Sequence, residues 1–140
     1  MEQPRSFDLA VLAQNSGVDL IEYPISCFYC GDWLTAHEKI LYQHSQLLVV
    51  WKDGLPYACC QPCVRIGAKV DFLVGFSRTV TVTRLSEVTS LPWSDLLVRC
   101  LSCLRILNHT EKTDIENSGR GIFVVKDSFR ALCALCRLGL

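Results

Sequence analysis

The chain has 140 residues, enough for one ordinary domain or two small ones of about 70 residues each. Fourteen basic and fourteen acidic side chains cancel, so no uniformly basic surface announces a nucleic acid, and half the residues are hydrophobic, which excludes a disordered chain. No apolar run approaches the roughly 18 residues that span a bilayer, and Met1–Ser6 has neither the basic nor the apolar segment of a secretory signal. No membrane association and no secretion are expected. In a reducing compartment, nine cysteines point to metal ligation before disulfides.

Taken in chain order, Ser6 reads as the N-cap and Gly17 as the close of a short amphipathic helix carrying Leu9, Leu12 and Ala13. Cys27 and Cys30 then form a CxxC knuckle. Thr35-Ala36-His37-Glu38 is a capping box, which predicts a helix behind that knuckle. Leu47–Lys52 and Leu55–Cys59 flank Asp53-Gly54, whose type I′ preference predicts a hairpin with Pro56 at a sheet edge. After Cys60 and Cys63, the apolar residues from Val64 to Ser77 fall on two faces, Ile66/Val70/Leu73 and Ala68/Phe72/Phe76. A helix wet on one side needs only one stripe, so this segment reads as a linker helix wedged between two halves. Thr79–Thr83 either prolongs it or forms a strand, and the linker helix is assigned 64–83. Beyond Cys100 and Cys103, Asn108-His109-Thr110-Glu111 nearly repeats the capping box, and Ile122–Val125 predicts a strand matching the first hairpin, before Cys133 and Cys136.

Adding 73 to Cys27, Cys30, Cys60 and Cys63 gives Cys100, Cys103, Cys133 and Cys136, and each quartet encloses 29 residues between its CxxC pairs. The offset also aligns Leu34, Thr35, Glu38 and Lys39 with Leu107, Asn108, Glu111 and Lys112. This is an internal repeat. A CxxC turn aims two thiolates at one ion about 2.3 Å away, and two such turns complete a tetrahedral structural zinc site with no open position for chemistry. Each quartet is therefore expected to hold one Zn2+. Cross-braced pairing of the first with the third knuckle, and iron–sulfur use, remain alternatives. The expected fold is α+β: two small repeated zinc-binding modules, each with a short antiparallel sheet, helices and a four-cysteine zinc site, joined by a linker helix. The modules are 1–63 and 84–140. Eight thiolates and two divalent ions leave the loaded chain near a charge of about minus four.

Four CxxC pairs at these intervals, with Trp51-Lys52-Asp53-Gly54-Leu55-Pro56-Tyr57-Ala58-Cys59-Cys60 and Asp95-Leu96-Leu97-Val98-Arg99-Cys100, resemble the papillomavirus early protein six family of transforming oncoproteins over nearly the whole chain. The resemblance implies a non-enzymatic viral adaptor of the host nucleus and cytoplasm. It would capture acidic LxxLL helices in a pocket enclosed by both modules and the linker helix. The implied apolar wall is Tyr29, Leu47, Val50, Tyr57, Cys59 and Val64, with Lys52, Arg99 and Lys126 facing the peptide's acidic flank and Arg65 or Lys69 nearby. Implied partners are a Mastermind-like coactivator of Notch signalling, favoured here, then a HECT ubiquitin ligase, then paxillin; weak self-association is a further expectation. Gly67 and Ser128 depart from mucosal high-risk relatives, which carry an aromatic and an arginine there, and this tilts the expectation towards cutaneous-type members. Leu138 stands where a class I PDZ ligand needs Ser or Thr, so no such capture is expected.

Without the resemblance, Leu47 and Val50 read as module core, Arg99 as a solvated arginine and Cys59 as a small buried hydrophobe. His37, His44 and His109 show no catalytic surroundings. The alternative function is a zinc-module nucleic-acid-binding transcription regulator, for which only the weakly basic segments 64–83 and 120–140 qualify.

Overall fold

The computed structural model describes residues 6–139. Met1–Arg5 and Leu140 lie outside the described residues, and with them most of the N-terminal segment and the last position of the PDZ expectation. The chain divides into two compact units, Met1–Val64 and Arg65–Leu140.

The first unit contains α1 (Leu9–Asn15), α2 (Ala36–His44), β1 (Val50–Lys52) and β2 (Leu55–Tyr57). The N-cap of α1 is Asp8 rather than Ser6: the Asp8 carboxylate accepts from Val11 N, while the Ser6 hydroxyl accepts from Asp8 N. Both residue types cap well, but only one can occupy the last extended position before the first helical turn. The capping box of α2 forms as expected between Thr35 and Glu38. Leu9, Leu12, Ile25, Leu34, Tyr42, Val49 and Ala58 build the core around Cys27 and Cys60. Asp53 and Gly54 both have positive φ, 52° and 78°, as a type I′ turn requires.

Helix α3 (Gln61–Gly75) runs across the boundary between the units. It stops well before residue 83. Phe76–Val80 forms β3, which pairs antiparallel with β5 (Ile122–Val125), and Val82–Thr89 is a separate helix, α4, capped by Thr81. The single helix expected over 64–83 is thus a helix, a strand and part of another helix. Two features explain the break. The β-branched residues Thr79 and Val80 gain a strand partner. Gly75 lies so close to Lys126 that an added Cβ would stand 2.3 Å from its Cγ, and Gly75 O accepts from Lys126 N at 3.0 Å.

The second unit adds β4 (Val98–Cys100), α5 (His109–Ser118), β6 (Ser128–Ala131) and α6 (Ala134–Arg137), with a 3-10 turn at Trp93–Asp95. Its sheet runs β3-β5-β6-β4, and β4 lies parallel to β6, so the sheet is mixed rather than wholly antiparallel. Leu85, Trp93, Leu96, Val98, Leu107, Ile115 and Ile122 form the core around Cys100 and Cys133. Among the described residues no helix is long and apolar enough to cross a membrane.

The offset of 73 holds in the backbone pairing. Val50↔Tyr57, Trp51↔Pro56 and Lys52↔Leu55 recur as Phe123↔Arg130, Val124↔Phe129 and Val125↔Ser128. The bridges Cys27↔Ala58 and Ser26↔Trp33 recur as Cys100↔Ala131 and Arg99↔Ile106. The second hairpin, however, turns through Lys126 and Asp127, at φ 48° and 63°, with no glycine to ease the left-handed conformation. Asp127 is exposed. Asp127→Gly, which gives this turn the second-position glycine of the first, should therefore stabilise the zinc-loaded chain by about 0.5–1 kcal/mol in denaturant unfolding; an unchanged or lower midpoint would show that the turn is relaxed as it stands.

Candidate functional site

Each quartet of cysteines is brought together within its own unit. The Sγ atoms of Cys27, Cys30, Cys60 and Cys63 all lie within 4.8 Å of one another, as do those of Cys100, Cys103, Cys133 and Cys136. The spacings Cys30 Sγ to Cys60 Sγ and Cys103 Sγ to Cys133 Sγ are 3.6 and 3.9 Å. Thiolates 2.3 Å from one tetrahedral ion stand about 3.8 Å apart, so the donor sets fit Zn2+. Sequential pairing holds, and cross-bracing is excluded.

Local backbone aims these sulfurs. The first knuckle of each module closes through Gly31 N to Cys27 O at 3.1 Å and Leu104 N to Cys100 O at 3.0 Å. Tyr29 N and Ser102 N then donate to the Sγ of Cys27 and Cys100 at 3.4 Å, and Cys133 N adds a second donor to Cys100 Sγ. Burial would raise the Cys27 thiol, but the backbone amides of Cys30, Cys60 and Tyr29 pull it down to about 6. The Cys100 thiol is lowered by Cys103 first and by its amide donors. Both are poised as thiolates, the form that binds metal. The second knuckle of each module opens a helix, with Cys60 just before α3 and Cys133 as the N-cap of α6.

A carboxylate and an ammonium that recur at the same offset fasten each module. Glu38 Oε2 accepts from Gln61 N at 2.6 Å, and Glu111 Oε2 from Ala134 N at 2.6 Å. Each glutamate therefore closes the capping box of its own helix and ties that helix to the residue after a zinc ligand. Lys39 Nζ reaches Ile21 O at 2.7 Å, while Lys112 Nζ reaches Ser94 O at 3.1 Å and also donates to Leu96 O. Both lysines are buried. The repeated Glu-Lys pair is visible in the sequence, but its tie to the second knuckle is not. Two arginines escape sequence reasoning as neighbours of the second site: Arg65 Nη1 donates to Ser102 Oγ at 3.0 Å and lies 3.8 Å from Cys136 Sγ, and Arg105 pairs with Glu111 at 2.6 Å.

Of the peptide-contacting residues implied by the resemblance, seven belong to the first unit. Tyr29 is 73% exposed, and it and Tyr57 meet the Phe28 ring edge-on at 5.2 and 5.8 Å. Lys52 Nζ stands 5.6 Å from the same ring centroid, and Val50 is Tyr57's partner across the hairpin. These five residues share one neighbourhood. Leu47 packs partly against the core, and Val64 is buried. Cys59 is half-buried; burial first, and Cys27 beside it, push its thiol up to about 12, so it stays a neutral thiol. In the second unit, Arg99 Nη1 donates to Leu104 O at 2.8 Å, and Lys126 pairs with Asp71 at 3.4 Å.

Residues 27–136 match the family described as Early Protein (E6). The chain belongs to the E6 family. Protein E6 of canine oral papillomavirus (strain Y62) is 32% identical over 138 residues, 99% of this chain and 93% of that protein. Protein E6 of human papillomavirus type 1 is 29% identical over 127 residues, 91% of each chain, and that of human papillomavirus 68 is 32% identical over 134 residues, 96% and 85%. Among solved structures, the C-terminal zinc-binding domain of the HPV51 oncoprotein E6 is 27% identical, covers 44% of this chain and 82% of that domain, and has a TM-score of 0.41. This E6 member thus holds two four-cysteine groups fitted to zinc in a mixed helix and sheet fold.

Burial would raise the Glu111 carboxyl, but the amides of Ala134 and Asn108 and the Arg105 guanidinium hold it below its ordinary value of 4.5. Its stabilisation is therefore fully present above pH 4.5 and disappears as pH falls through the depressed folded value. Glu111→Gln should cost about 1.5–3 kcal/mol at pH 7 in denaturant unfolding of the zinc-loaded chain. The gap from wild type should close on acidification below pH 4.5; a gap that stays constant with pH would show that the charge contributes nothing.

Proposed function

We propose that this chain is a non-enzymatic viral adaptor that captures acidic LxxLL helices of host proteins. A Mastermind-like Notch coactivator is the favoured partner, a HECT ubiquitin ligase the second and paxillin the third. By such capture it would redirect host transcription, differentiation, protein degradation and apoptosis from the host nucleus and cytoplasm. Membership of the E6 family supports the class of function. The observation that carries the reading is the neighbourhood of Phe28, where Tyr29, Val50 and Tyr57 keep exposed or half-exposed apolar surface beside a zinc knuckle, with Lys52 against the same ring.

That surface has the chemistry of helix-in-groove recognition: rigid aromatic and aliphatic contacts for leucines, and a cation for an acidic flank. Its rigidity comes from the metal, since Tyr29 lies between two ligands of the first site. Arg99 and Lys126 offer further cations for peptide carboxylates, and Arg99 brings a planar fork that matches them. Charge would orient the helix and leucine burial would supply most of the affinity.

Fluorescence anisotropy with labelled LxxLL peptides from a Mastermind-like coactivator and a HECT ligase tests the reading. Val50→Glu places an unpaired carboxylate against the peptide leucines and should abolish binding while both zinc ions remain. Arg99→Ala should weaken either acidic peptide about tenfold or more. Wild-type affinity in a zinc-replete Val50→Glu chain would refute this surface, and tighter binding of the ligase peptide would reverse the order of partners. A fall in affinity as steep as that of nucleic-acid binding between 50 and 200 mM salt would count against leucine burial.

A further inference from the structure

The two four-cysteine sites share their geometry but not their electrostatic surroundings. One zinc ion and four thiolates together carry a charge of about minus two. In the second unit two guanidiniums lie against that charge. Arg65 Nη1 is 3.8 Å from Cys136 Sγ, and Arg105, paired with Glu111 at 2.6 Å, also hydrogen-bonds the Cys133 sulfur. In the first unit the hydrogen bonds to Cys27 and Cys60 come from backbone amides and from neighbouring cysteines. Asp32 occupies the place of Arg105 there, exposed and two positions after Cys30. Cys30 is the one exposed ligand of the eight, whereas its counterpart Cys103 is half-buried.

These differences bear on oxidation. A metal-bound thiolate is already ionised, so its reactivity follows the electron density on sulfur and the access of the oxidant. A guanidinium hydrogen bond draws density away from sulfur, and a carboxylate nearby leaves it there. Cys30 thus has the access and lacks the guanidinium, and Cys60 Sγ stands 3.6 Å from its sulfur. We propose that the first zinc site is a peroxide-sensitive redox switch, triggered at Cys30 and resolved by Cys60, while Arg65 and Arg105 keep the second site inert. Cys30 Sγ attacks one oxygen of hydrogen peroxide, the O–O bond breaks, and hydroxide leaves and takes a proton to become water. Cys30 is then a sulfenic acid. Cys60 Sγ attacks that sulfur, the S–S bond forms, and the sulfenic oxygen departs as hydroxide and is protonated to a second water. The two thiolates together lose two electrons and the peroxide gains them. Two thiolates remain in the quartet, too few to hold the ion, and the first module unfolds with its loss. The Phe28 surface goes with it; only that consequence rests on the LxxLL reading.

The zinc-loaded full chain is exposed to hydrogen peroxide while a chromogenic chelator follows released zinc and mass spectrometry after alkylation locates the oxidised cysteines. One equivalent of zinc should leave at least about tenfold faster than the other, with a disulfide between Cys30 and Cys60 in the early product. Arg65→Met, which spares the pair between Arg105 and Glu111, should speed release of the slow equivalent. Asp32→Arg, a change at an exposed position, should slow the fast one. Release of both equivalents at one rate, early oxidation at Cys103 or Cys136, or an Asp32→Arg chain that reacts as wild type does would each overturn the switch. Loss of the first ion at the same rate without peroxide would overturn it too, by showing that the module opens unaided.

Discussion

Eight thiolates held around two divalent ions are the constraint on which every other element of this chain depends. Neither unit exceeds 76 residues, and a core of that size rarely supplies more than a few kcal/mol by itself. The two-stranded sheet of the first unit has three residues in each strand, too little to persist alone. What keeps it in place is Cys27, bridged to Ala58 at the foot of the hairpin, and Cys60 two residues further on. Structural zinc couples roughly 10–16 kcal/mol of binding to folding, which exceeds any other single contribution here. The amides that point at Cys27 and Cys100, and the glutamates that fix the second knuckles, arrange donors for that ion; they do not replace it.

Because both copies answer to the same metal geometry, what they share is what that geometry requires, and what differs gives each module its own surface. The backbone ladder, both capping boxes and both Glu-Lys pairs are kept at an offset of 73 residues. Asp32 in the first copy stands where Arg105 stands in the second, and Trp51 where Val124 stands. The first module presents aromatic and aliphatic surface with one lysine against it. The second gathers arginines, at the metal site through Arg65 and Arg105 and on the sheet face through Arg99 and Arg130. The proposed capture of acidic LxxLL helices draws on both chemistries, apolar contact for leucines and cations for carboxylates.

The metal sites are legible in the sequence because CxxC spacing is a local geometric requirement and the 29-residue interval repeats. The hairpins and capping boxes are legible for the same reason: type I′ turns and N-caps are decided by two to four neighbouring residues. Non-local pairing is not. Nothing in the β-branched run 79–83 says that β5 waits for it, so the end of α3 at Gly75 is invisible without the packing of Lys126. The parallel pairing of β4 with β6 is hidden too, and with it the juxtaposition of Arg99 and Arg130, which are separated by 30 residues in sequence. Val64 is ambiguous for another reason: its apolar character fits a contact residue and a core residue equally, and only the structure shows that it is buried.

Hydrogen exchange of the chain with and without metal addresses the central claim most directly. With two zinc ions bound, the amides of both hairpins, β1 to β2 and β5 to β6, should be protected. On chelation both sets should exchange at the rates of an unfolded chain, and restoring two equivalents of zinc, but not one, should return both. Protection of either hairpin in the metal-free chain, or recovery of both modules with a single equivalent, would contradict the view that each module is folded by its own ion.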